Sequence, residues 1–164
     1  QVSYNELAQL CSLDSKTVEK YVILLEQSYV IFRLNSFSRN LRNELKTSKK
    51  IYFYDNGIRN ALIANFNQIE GRADRGALWE NFLISERKKF LEYNRLWGNS
   101  WFWRTKEQKE IDLVEERDGK ITGYEFKWNP DQKVKIPRLF LDSYENSDFQ
   151  VIHRDNCDSF LLEC

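Results

Sequence analysis

The sequence predicts an α+β protein in two parts, residues 1–62 and 63–164, and three observations carry that reading. The first part holds two stretches of helical periodicity followed by two short apolar runs that read as strands. The second part is ordered as helix, three strands, helix, strand. Within it, Asp118-Gly119 stands between two strand-forming runs. Asp-Gly is a strong hairpin signal because both central positions of a two-residue turn need positive φ.

In chain order, Ser3-Tyr4-Asn5-Glu6 has capping-box form ahead of Leu7, Ala8 and Leu10, so a short helix starts there. Asp14 or Ser15 caps a second helix, with Val18, Tyr21, Val22 and Leu25 at helical spacing and an end near Gln27-Ser28. Strands are expected over 29–34 and 50–54. Helix, turn, helix and a two-stranded flap make a winged helix. Between Arg33 and Lys50 the chain carries Arg33, Arg39, Arg42, Lys46, Lys49 and Lys50 against Glu44 alone, six basic residues less one acid, for a local charge of +5. Arg39, Arg42 and Lys46 on the flap, with Lys16 and Lys20 on the second helix, suit contact with a DNA backbone. Modules of this size also serve as protein docking surfaces, so both uses stand open.

In the second part, Leu78, Trp79, Phe82, Leu83, Phe90 and Leu91 form a helical stripe with Glu80 inside it. An aromatic strand over 100–104 follows, then a polar turn over 105–108 and the Asp-Gly hairpin. After a break at Asn129-Pro130 come a helix over 137–144 and a strand over 149–153. With Asp118 and Gly119 as the loop, facing positions sum to 237, so Asp112 faces Glu125 and Glu110 faces Lys127. All four then share one face of the sheet. Two facing carboxylates repel unless something positive lies between them, either a lysine ammonium or a divalent cation. A solvated outer face with an ordinary Glu110–Lys127 ion pair is the competing reading. Trp101, Trp103, Tyr124, Phe126 and Trp128 alternate with the polar set and read as core rather than as a base-stacking platform. Arg104 is placed either to reach a phosphate or to pair with Glu110.

On these residues, the segment 71–164 resembles the PD-(D/E)XK (restriction-endonuclease-like) superfamily, with its αβββαβ core. Asp112 stands at the superfamily's strand acid, Glu125-Phe126-Lys127 at its acid-x-Lys triplet and Glu80 at the acid on the preceding helix. Ile111 departs from the proline of the superfamily's name. The resemblance implies catalytic residues Glu80, Asp112, Glu125 and Lys127. It implies magnesium or manganese held by Asp112, Glu125 and Glu80, and hydrolysis of DNA phosphodiesters. Such an ion favours oxygen ligands and keeps several waters, and Lys127 would set a positive charge beside the scissile phosphate.

Nearly the whole chain resembles the C-terminal domain of unknown function attached to prokaryotic AAA-type ATPases. The residues that carry this are Tyr52-Phe53-Tyr54-Asp55-Asn56-Gly57, Gly76-Ala77-Leu78-Trp79-Glu80-Asn81-Phe82, Trp103-Arg104-Thr105, Glu110-Ile111-Asp112 and Glu125-Phe126-Lys127-Trp128. The resemblance implies an ATPase module, with its own ATP, as the partner within the same protein. This chain has no Gly-x-x-x-x-Gly-Lys-Ser/Thr loop and does not start with methionine, so it reads as part of a longer protein. A catalytically inactive DNA-binding or protein-interaction domain is the alternative to an active nuclease.

Composition excludes several rivals. Twenty-five basic and 25 acidic residues cancel, which argues against a uniformly basic nucleic-acid surface and leaves local patches. Cys11, Cys157 and Cys164 have no metal spacing and are odd in number, so the expected setting is a reducing cytoplasm. No long apolar run supports membrane insertion. His153 is the single histidine, which removes Ser-His-Asp schemes and histidine-rich zinc sites; it reads as a strand-end residue.

Overall fold

A computed structural model describes residues 3–39 and 48–162. The chain is mixed α+β, with six α-helices and two sheets among the described residues. Helix α1 (Tyr4–Cys11) begins where Ser3 Oγ accepts the Glu6 N–H at 3.4 Å. Helix α2 (Ser15–Gln27) begins where Asp14 Oδ1 accepts the Lys16 and Thr17 N–H groups, each at 3.0 Å. Of the expected α2 stripe, Val18 and Val22 are buried against Ala8 and Ile31, whereas Tyr21 and Leu25 are exposed. Helix α1 and one hairpin cover only a narrow strip of α2, and that strip is the i, i+4 pair.

Strands β1 (Ile31–Asn35) and β2 (Lys49–Phe53) pair antiparallel, with Ile31 facing Phe53 and Asn35 facing Lys49. The first strand starts two residues later than expected because Tyr29 takes a left-handed φ of 55°, which closes the end of α2 rather than opening a strand. Helix α3 (Asn56–Leu62), capped by the Asp55 carboxylate, and a 3-10 turn (Ile69–Gly71) lead to the long helix α4 (Arg75–Tyr93).

The second sheet has the order β3 (Asn99–Arg104), β4 (Glu110–Arg117), β5 (Lys120–Phe126), β6 (Ser147–Ile152). The first three strands are antiparallel. Helix α5 (Arg138–Ser143) lies in the connection that returns β6 parallel to β5, and α6 (Cys157–Leu162) follows. The hairpin register is the expected one, from Arg117 facing Lys120 to Leu113 facing Tyr124. Asp118 at φ 50° and Gly119 at φ 76° supply the turn.

Strand β4 carries an irregularity that the alternation did not reveal. Trp101 faces Val114 but Trp103 faces Ile111, so two steps along β3 match three along β4. Ile111 and Val114, three apart, pack in one core cluster with Trp103 and Phe140, and Leu113 packs in the other with Trp79 and Phe126. A β-bulge does this by inserting one residue and changing which face the next side chain meets. The expected core aromatics are in place: Trp103, Tyr124 and Phe126 are buried, and Trp101 and Trp128 pack on the clusters.

The small hairpin is joined to the rest. Phe32, Leu34 and Tyr52 share a core cluster with Trp79, Leu83 and Leu113, so the β1–β2 pair packs directly on α4 and the larger sheet. On the inner face of α4, Arg87 reaches Glu115 of β4 through two 3.0 Å contacts, both side chains being buried, and donates to the Phe160 carbonyl at 2.5 Å.

Candidate functional site

Four elements deliver charge to one place. Positions two apart on a strand share a face, so β2 presents Lys50 and Tyr52 together. Helix α4 presents Glu80, β4 presents Glu110 and Asp112, and β5 presents Glu125 with Lys127 just beyond its end. The Lys50 ammonium lies among three carboxylates: 2.5 Å from Glu110, 2.9 Å from Glu80 and 3.7 Å from Asp112. Tyr52 donates its hydroxyl to the same Glu80 Oε1 at 2.6 Å. Asp112 Oδ2 accepts the Phe126 N–H at 2.9 Å.

The expected Glu110–Lys127 pair is replaced. Glu110 takes Lys50 and, at 3.3 Å, Arg104, while Lys127 takes its neighbour Glu125 at 2.6 Å. The reason is reach: Lys50 approaches from a second sheet that facing-residue arithmetic on one hairpin does not contain. Of the two expected readings for Arg104, the pairing with Glu110 is the one observed.

The expected metal set of Asp112, Glu125 and Glu80 is divided between two neighbouring clefts. Glu80, Asp112 and Lys127 line one of about 330 Å³, and Glu110, Glu125 and Lys127 line another of about 250 Å³. Among the described residues, no group of three or more His, Cys, Asp or Glu side chains is arranged to hold a metal ion. A magnesium or manganese ion bound through two carboxylates, with water and a phosphate completing its oxygens, asks less of the protein. Glu80 and Asp112 fit that requirement; they do not make an all-protein cage.

The electrostatics are unbalanced. Glu80, Glu110, Asp112 and Glu125 outnumber Lys50, Lys127 and Arg104, and the surplus falls on Asp112. Burial first, then Glu80 and Glu125, push its carboxyl up to about 7, against the opposing pull of Lys50 and the Phe126 N–H. Burial pulls Lys50 down, but Glu80, Asp112 and Glu110 outweigh it, so this ammonium is held above its ordinary value. Lys127 is likewise raised: burial opposes the charge and Glu125 more than restores it.

Lys16 and Lys20 are exposed one turn apart on α2. Arg39 is exposed and paired with Glu116, and Arg42 and Lys46 lie outside the described residues. Two members of the basic stretch turn inward instead: Arg33 pairs with Glu26 at 2.6 Å and donates to the Tyr4 hydroxyl at 2.9 Å, and Lys50 enters the acid site. Lys49 lies over the Tyr4 ring at 5.0 Å. His153 closes the end of β6, where its N–H donates to Asn156 Oδ1 at 2.7 Å.

Sequence reasoning missed Lys50 and Tyr52 as partners of the acid site, and Asn81 as the residue that bonds the Phe53 backbone beside it. One signal was legible: Lys50 and Tyr52 alternate with apolar Ile51 and Phe53, so a polar pair had to face something.

Fold and site define the class: an α+β chain in which a small N-terminal hairpin caps an acid-and-lysine cluster on a four-stranded sheet. The chain belongs to the family described as Domain of unknown function (DUF4143), whose model matches residues 75–157. Residues 1–69 match a second, Domain of unknown function (DUF8612). Glu80, Glu110, Asp112, Glu125 and Lys127 therefore lie in the first match, and Lys50 and Tyr52 in the second. The chain is similar to an uncharacterized protein of Mycobacterium tuberculosis and to one of Mycobacterium bovis, each 29% identical over 124 residues. That alignment covers 74% of this chain and 27% of either relative, so the chain spans about a quarter of their length. No solved structure matches. Among the described residues, no helix is long and apolar enough to cross a membrane.

Proposed function

We propose that this chain is the nuclease-like part of a longer protein with an AAA-type ATPase module, and that it acts on DNA phosphodiesters with magnesium or manganese. In this reading the first 62 residues form a winged-helix DNA-contacting module and residues 63–164 a PD-(D/E)XK core. One observation carries the proposal: Glu80 and Asp112 share a cleft with Lys127, where burial first, and then the carboxylate surplus of Glu80 and Glu125, push the Asp112 carboxyl up to about 7. A hard divalent cation is the partner that such a surplus favours.

Glu80 and Asp112 would hold the ion, which supplies Lewis-acid polarisation of a phosphate oxygen. Lys127, kept protonated by Glu125, places a positive charge on the same cleft for the phosphate oxygens. Glu125 orients Lys127 rather than taking a place beside Asp112 and Glu80. Lys16 and Lys20 are exposed for the DNA backbone, with Arg39 on the flap.

The test is cleavage of single-stranded, duplex and branched DNA and of RNA with magnesium or manganese, by this chain and by the full-length protein. Asp112→Ala should abolish cleavage. Lys127→Ala should reduce it by about a hundredfold, the scale of one preorganised electrostatic group. A full-length protein that binds DNA and cuts none of these substrates ends the catalytic reading. One observation favours that second reading, a binding module without catalysis: the centre of the acid cluster is filled by the chain's own Lys50.

A further inference from the structure

We infer that Lys50 is a built-in cation of the acid site, and that a divalent ion and the Lys50 ammonium occupy it in competition. The inference rests on the reading of Glu80 and Asp112 as oxygen ligands. Its evidence lies in the origin and setting of Lys50, which comes from β2, within residues 1–69, whereas all three acids around it belong to residues 75–157.

An ion pair needs one carboxylate; Lys50 has three within 3.7 Å and a side chain only 10% exposed. Its Nζ also lies 5.5 Å from the centre of the Phe102 ring, a face that favours positive charge. An ammonium is a compact point charge, and this one is placed as a hard cation would be, among oxygens supplied by α4 and β4. Being monovalent, it leaves part of the acid surplus uncompensated.

A divalent ion on Glu80 and Asp112 would use oxygens that Lys50 now contacts, and the two positive charges repel at short range. Uptake of the ion therefore releases Lys50, and it loosens the hairpin's hold on α4 at the Glu80 side while the Asn81 contact to Phe53 remains. The N-terminal hairpin thus guards the site, and cation binding and hairpin docking oppose each other.

Two measurements on the whole chain test this. In calorimetric titration with manganese chloride alone, Lys50→Met should bind at least tenfold more tightly than wild type, and Lys50→Arg should stay near wild type. Melting of Lys50→Met should also rise more with manganese than that of wild type, since stabilisation by a ligand grows with the logarithm of its concentration over Kd. The second measurement needs no variant. Reductive methylation of wild type, read by peptide mass spectrometry, should leave Lys50 protected in chelator and modify it in saturating magnesium chloride. Equal manganese affinities in wild type and Lys50→Met, or Lys50 labelling unchanged by magnesium, overturn the inference and leave the proposed site standing if cleavage is seen. No manganese binding by any of the three proteins overturns the inference and the cation reading together.

Discussion

Asn81 of α4 and Phe53 of β2 exchange hydrogen bonds in both directions: the Phe53 N–H donates to Asn81 Oδ1 at 2.8 Å, and Asn81 Nδ2 donates to the Phe53 carbonyl at 2.9 Å. An amide side chain has the donor and acceptor to do for a strand edge what another strand would do. Asn81 is buried and next to Glu80, so one turn of α4 fixes the hairpin and the acid site together. Asn81→Leu should cost about 2–4 kcal/mol, because both Phe53 groups lose their partners in a partly buried place. Urea unfolding reads the loss, and amide exchange at Phe53 should quicken more than exchange in β4.

The Arg87–Glu115 pair should behave as a buried ion pair does. Removing one partner strands a charge, so Arg87→Met should destabilise the fold by about 3–5 kcal/mol. The double variant Arg87→Met with Glu115→Met should recover most of that, although the Phe160 carbonyl loses a donor in both. A double-mutant cycle in urea gives the coupling; a double variant as unstable as the single one would mean that the pair is not what α4 and β4 depend on.

Asp112 sets a pH dependence with a definite sign. Its folded carboxyl titrates near 7 and its ordinary value is 3.8, so the folded state holds a proton that the unfolded chain has released across that window. Stability from this group is fully present below about pH 3.8 and is lost as pH rises through 7. Asp112→Asn should therefore gain on wild type by up to a few kcal/mol between pH 4 and 8, measured as the difference in urea unfolding free energy. Saturating manganese should flatten the wild-type decline, because an ion on the carboxylate takes the place of the proton.

Charge reversal at Lys16 and Lys20 checks the exposed end of α2. If these side chains meet phosphates, Lys16→Glu with Lys20→Glu should weaken duplex binding at low salt and reduce the log–log salt slope by about one per lost contact. Fluorescence anisotropy across a salt series reads both quantities. An unchanged slope would assign this face to protein docking, which the exposed Tyr21 and Leu24 beside it would suit.

What the amino-acid sequence alone dictates is local and periodic. Ser3 and Asp14 announce the first two helices because a capping side chain bonds N–H groups two or three residues away. Asp118-Gly119 announces the hairpin and its register because the turn geometry dictates which residues face each other. Glu80, Asp112, Glu125 and Lys127 were legible as residue types at spacings that put charge on one side of a sheet.

The partners of those charges were decided only by the tertiary structure. Lys50 reaches the acids from 30 residues before Glu80, because Phe32, Leu34 and Tyr52 bury themselves against α4 and bring β2 within reach. Arithmetic on the β4–β5 hairpin holds no residue of the β1–β2 sheet, so it could not show that Glu110 goes to Lys50 and Lys127 to Glu125. Periodicity ranks the faces of single elements. Which faces meet, and so which buried charges pair, follows from packing two sheets on one helix, where apolar contact is won over long sequence separations and charge adjusts to what that packing brings close.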